Sequence, residues 1–185
     1  MYWCNRYHLR ILFTAAVCTS GLLACKPDVH ISNAEKRYFD LKQFINADSV
    51  RLNKQAPLVL KTVQHNSDGA QTKRLIIRNW GQELELFSAS DINKPAWRDS
   101  YQIQQQGDSV VYTALYSELV TRRIVISKKG QEVKKITIEN FTKNFLYKTQ
   151  EHLVYYPDSL YLIDKEQNVK LIGTNRYKIT GKIRP

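Results

Sequence analysis

Cysteine and histidine are scarce in this chain, and acidic side chains are outnumbered. Three cysteines occur in 185 residues, at Cys4, Cys18 and Cys25, and none follows. No disulfide and no thiolate metal site can form beyond that point. Of the four histidines, His8, His30, His65 and His152, no two stand at the i, i+4 spacing of a helical zinc site. There is no Gly-x-Ser-x-Gly elbow, no Ser-x-x-Lys with the companion motifs of penicillin-binding enzymes, and no phosphate-cradling glycine loop. Glu83 and Glu85 are two apart on a predicted helix and do not share a face. The sequence therefore predicts no cofactor, no metal and no motif-borne enzyme chemistry; a carboxylate pair assembled by the fold is the remaining route to a hydrolase. No apolar run reaches the ~20 residues that span a bilayer.

What is present is concentrated at the start. Arg6 and Arg10 form a positive region with no acidic residue before Asp28, and Ile11 to Ala24 is apolar or small. This is the layout of a secretory signal peptide. A cut after Ala24 by ordinary signal peptidase would place Leu22 at −3, a poor fit. Leu22-Leu23-Ala24-Cys25 instead resembles the lipobox of bacterial lipoproteins. The resemblance implies that the Cys25 thiol receives a diacylglycerol, that the chain is cut just before it, and that the new amino group is acylated. Acyl chains of the palmitate class would then be the membrane partner. Each buried methylene contributes ~0.8 kcal/mol, so one chain holds marginally and two or more hold stably. In enterobacterial lipoproteins Asp after the cysteine favours inner-membrane retention; Lys26 in that place implies the outer membrane.

The expected organisation is a signal peptide over 1–24, a lipidated tether over 25–37 and one domain over 38–185. The tether from Lys26 to Arg37 reaches at most about 40 Å, which keeps the domain near the membrane. Removing Arg6 and Arg10 lowers the net charge from +11 to +9. Behind a signal peptide this basicity points to anionic envelope components rather than nucleic acid.

Along the domain, Asp40 reads as a helix N-cap with Gln43 at N3, and Phe39 and Phe44 as a hydrophobic staple. Leu41, Phe44, Ile45 and Leu52 mark one helical face, and Pro57 ends the helix. Strands are predicted at Leu58–His65 and Thr72–Arg78 around a turn at Asn66-Ser67-Asp68-Gly69, then a second helix over Asn79–Ala89 with Trp80, Leu84 and Phe87 on one face. The Asp91–Trp97 loop follows, with Trp97 plugging an edge of the core. Further strands are predicted at Ser100–Gln106, Ser109–Tyr116, Leu119–Ser127, Glu132–Glu139, Phe145–Tyr156, Ser159–Asp164, Asn168–Ile172 and Tyr177–Ile183. The fold class expected is α+β: two helices from the N-terminal half packed on a curved, half-barrel-like antiparallel meander.

Side-chain parity supplies the functional hint. A sheet with one wet face alternates apolar and polar residues. Val110 to Tyr116, Leu153 to Tyr156 and Leu160 to Ile163 are apolar at both parities, so both faces are expected to be sheltered. An apolar concavity lined by Tyr112, Tyr155 and Leu162 is one way to achieve this. Arg122 and Arg123, as strand neighbours, are expected on opposite faces. Lys128 and Lys129 at a hairpin tip are candidates for contact with an anionic surface, or simply charges that keep strand edges from pairing.

Tyr38-Phe39-Asp40-Leu41 and the Asp91–Trp97 loop resemble small, uncharacterised envelope lipoproteins of Gram-negative bacteria. More distantly, early helices followed by a long antiparallel meander are similar in plan to the LolA/LolB carriers, which shelter acyl chains in a half-open barrel; fold alone does not transfer that function. The expectation is a membrane-anchored, non-enzymatic binding or assembly protein of the envelope, facing the periplasm or the cell surface, with an envelope protein or lipid as partner. The alternatives are a carrier of lipid or another apolar ligand, and an envelope hydrolase.

Overall fold

The structure is a computed structural model that describes residues 36–184. The lipobox with Cys25, the tether up to Glu35 and His30 lie outside these residues. Helix α1 (Leu41–Gln55) begins as its sequence dictates: the Asp40 side chain accepts from the Gln43 N–H at 3.1 Å, and the Phe39 and Phe44 rings meet at 5.6 Å. Leu41, Ile45 and Leu52 are buried along one face. The helix ends at Ala56, in the left-handed region at φ 44°, ahead of Pro57. Nine strands follow: β1 (Leu58–His65), β2 (Gln71–Ile76), β3 (Tyr101–Gln106), β4 (Ser109–Ala114), β5 (Thr121–Lys129), β6 (Glu132–Lys143), β7 (Tyr147–Tyr156), β8 (Leu160–Val169) and β9 (Gly173–Arg184).

All neighbours pair antiparallel in one sheet of order β2-β1-β9-β8-β7-β6-β5-β4-β3. The meander runs from β3 to β9, and the early hairpin docks beside the last strand. The sheet stays open, with β2 and β3 as its edges. Between these two strands the chain crosses the sheet through α2 (Trp80–Glu83), α3 (Glu85–Ala89) and a single 3₁₀ turn (Pro95–Trp97). The fold is therefore α+β, with the helices against one face. Ring contacts fix which face: Trp97 meets Tyr101, Phe87 meets Tyr155, and Trp80 meets Tyr161 at centroid distances of 5.7–6.4 Å.

Four expectations are corrected. The second helix is two short pieces, because Leu84 leaves helical geometry at φ −100°, ψ 13°; the bend still buries Trp80, Leu84 and Phe87 together. The two strands expected at Ser159–Asp164 and Asn168–Ile172 are one, β8, which runs only from Leu160 to Val169; its middle residues Lys165-Glu166-Gln167 are polar but fully paired with β7 and β9. Phe145, Leu146, Leu171 and Ile172, read as strand residues, lie in turns. A β-bulge between Thr121 and Arg123 breaks the alternation. It brings Arg122 over the Phe141 ring at 5.2 Å, on the same face as Arg123, which pairs with Glu139.

Gly181 sets a packing limit. It lies opposite Tyr161 on β8, and a β-carbon there would stand 2.0 Å from Tyr161 Cε1. Tyr161 is fully buried. Replacing Gly181 by Ala is expected to cost about 1–3 kcal/mol, measured as a lowered urea midpoint. An unchanged midpoint would mean that the ring moves aside freely.

Candidate functional site

The helix-facing side of the sheet is closed by polar ties set into an apolar core. Tyr155 donates its phenolic proton to Asp48 Oδ2 at 2.7 Å, and Arg51 binds the same carboxylate at 2.6 Å. Tyr161 donates to Glu83 Oε1 at 2.6 Å. Lys61 completes that cluster, donating to Glu83 Oε2 at 2.8 Å. Asn140 donates to Ser90 Oγ at 2.8 Å and to Glu151 at 3.0 Å. Tyr112 accepts the Phe39 N–H at 3.1 Å. Each tie joins a strand to the helix layer or its connections. Burial, and then the neighbouring carboxylate, push the Tyr155 and Tyr161 phenols far above their usual range. Burial likewise raises Tyr112.

Of the three residues expected to line one concavity, Tyr112 and Tyr155 therefore sit in the filled core. Leu162 is on the opposite face, in register with Val154. The structure does not bring the three together. Lys128 is half-buried, with its ammonium 5.7 Å from the Phe39 ring, while Lys129 is exposed at the turn.

The face away from the helices has its own order. Register places Val111, Val125, Thr137, Val154 and Leu162 side by side across β4 to β8. The row continues through Thr180, Thr62 and Thr72 to the β2 edge. Val111 is 2% and Val154 8% exposed, yet neither belongs to the core under the helices. Beside this strip runs a ladder of charge: Arg123, Glu139, His152, Asp164 and Lys178 stand in register on successive strands. Arg176 clasps Asp164 with two bonds of 2.9 and 2.7 Å, and this holds the Asp164 carboxyl below its usual range. A depression of about 410 Å³ lies among Arg122, Glu139, His152 and Glu166. On the other flank Lys135 sits 5.4 Å from the Tyr156 ring.

Two larger clefts are on the helix side. One of about 1160 Å³ runs between α1 and the Glu85–Pro95 segment, with charges of both signs on its rim. One of about 680 Å³ holds the Lys61–Glu83 pair. The open face was legible in part, as apolar residues at both parities. The charge ladder was not, since its members are scattered along the chain and only register aligns them. Compared with protein-family models, curated proteins and solved structures, the chain matches none.

The phenols make stability pH-dependent at the alkaline end. A tyrosine whose folded pKa lies above the ordinary 10.0 stabilises the fold fully below that value. The contribution is lost as pH rises above it, because the unfolded chain releases the proton first. Each such phenol should remove up to about 1.4 kcal/mol per pH unit. Urea midpoints should therefore fall steeply between roughly pH 10 and 12, and Tyr155→Phe should make the fall shallower. An identical slope in the variant would show that Tyr155 is not held protonated.

Proposed function

We propose that this chain is a lipid-anchored envelope protein that binds a protein partner across the open face of its sheet, as an assembly component. The observation that carries this reading is the Val111–Val125–Thr137–Val154–Leu162 strip, on a face that no described helix covers. An apolar centre flanked by charged rims is the anatomy of a protein interface. A row one residue wide per strand, spread across five strands, suits a folded surface better than a small ligand. Fully burying one Val or Leu is worth roughly 1.5–3 kcal/mol; Val111 and Val154 are already buried, so a partner would gain mainly at the half-buried Val125, Thr137 and Leu162. The Arg123–Glu139–His152–Asp164–Lys178 ladder would set orientation and discriminate among partners. The lipobox at Cys25 supports the anchor, and a short tether keeps the face close to the membrane. The carrier reading has less support, because Tyr112 and Tyr155 are tied into the core.

Two measurements test this. Cys25→Ser should abolish incorporation of a fatty-acid label and release the protein from the membrane fraction; a variant that still carries label removes the anchor. A photo-crosslinking residue at Leu162 or Thr180 of the full-length protein should give a discrete adduct in intact cells, whereas one at Lys54 on α1 should not. Adducts from Lys54 and none from the sheet would move the interface to the helix layer.

A further inference from the structure

The two ends of the sheet differ. Strand direction alternates, so the turns β4–β5, β6–β7 and β8–β9 share one end, and the turns β3–β4, β5–β6 and β7–β8 share the other. The second set, Gly107-Asp108, Gly130-Gln131 and Pro157-Asp158-Ser159, exposes no large apolar side chain. The first set exposes Leu115, Tyr116 and Val120 in one turn, and Phe145, Leu146, Leu171 and Ile172 in the other two. Phe145 is 80%, Ile172 84% and Leu171 fully exposed. The last two turns are adjacent: the Lys170 N–H donates to the Leu146 carbonyl at 3.0 Å, and the Lys170 ammonium lies 4.0 Å from the Phe145 ring.

Charge in these turns has one sign. Residues 141–150 contain Lys143 and Lys148 and no acid; residues 167–175 contain Lys170 and no acid. The described chain also begins at this end, where Arg37 pairs with Asp99 just ahead of β3.

We propose that the β6–β7 and β8–β9 turns form a membrane-docking tip, which inserts Phe145, Leu146, Leu171 and Ile172 into the interface of an anionic phospholipid bilayer. Four apolar side chains raised on two turns are pegs without a groove, a shape that suits a soft medium. Amphipathic surfaces bind anionic bilayers through just this pairing of aliphatic and aromatic side chains with lysines, and Tyr147 beside the tip has the side chain enriched at headgroup depth. The tip goes beyond the proposed anchor and open face, and rests on neither. It adds a contact that would fix which way the domain stands on the membrane.

The test uses the full chain reconstituted in vesicles of phosphatidylethanolamine and phosphatidylglycerol. Tryptophan is placed by Leu171→Trp or, at the far end, by Gln131→Trp, and emission is compared with the parent chain. Brominated lipids should quench the added Leu171→Trp emission at least twofold and leave that of Gln131→Trp unchanged. Equal quenching at the two ends, or failure of the chain to float with the vesicles, would overturn the proposal. Changing Lys143, Lys148 and Lys170 to Glu should bring Leu171→Trp quenching down to the far-end level. Persistence of full quenching would remove the anionic surface as the occupant.

Discussion

Two phenolic protons join the helices to the sheet. Tyr155 and Tyr161 stand on adjacent strands in register, both fully buried, and each reaches a carboxylate on a different helix, Asp48 on α1 and Glu83 on α2. Even a partly buried carboxylate is costly unless hydrogen-bonded and paired, and Arg51 and Lys61 supply that pairing. These two clusters fix the helix layer over one face. Everything distinctive about the other face follows, because no described helix is left to cover it.

That division explains how the strands can be apolar at both parities. Ile136, Ile138, Leu153 and Ile163 face the helices and form an ordinary core. Val125 and Leu162 face away and are only partly sheltered, while Val111 and Val154 in the same row are buried. The charge ladder beside it is made of residues that are far apart in sequence. Opposite charges on adjacent strands attract modestly at an exposed surface, so the ladder adds little to stability.

Much of the fold was readable before the structure. Asp40, Gln43, Phe39 and Phe44 announced α1 because capping and staple contacts are local. The turn at Asn66 to Gly69 announced the first hairpin for the same reason. What failed needed either register or solvent exposure. Tyr155 and Leu162 look alike as apolar strand residues, and only the pairing of Val154 with Leu162 reveals that they face opposite ways. Arg122 and Arg123 obey alternation until a bulge suspends it. Phe145-Leu146 and Leu171-Ile172 were read as strand because apolar pairs usually are. Their misassignment is informative, since local rules tend to fail where something other than core packing selects the residue.

The place of the first hairpin has a consequence for how the molecule is made. β1 has β9 as its inner neighbour, and the His65 ring bonds Asn175 across 110 residues of chain. Pairing over such a separation is slow to form. During synthesis β1 and β2 are therefore a lone hairpin, which is marginal in water by itself, and they wait until the last strand arrives. The C-terminal strand closes the register between the earliest and the latest parts of the domain. Without β9 the hairpin would lose its inner neighbour and β8 would become an open edge, so the sheet is completed only when the last of the nine strands pairs.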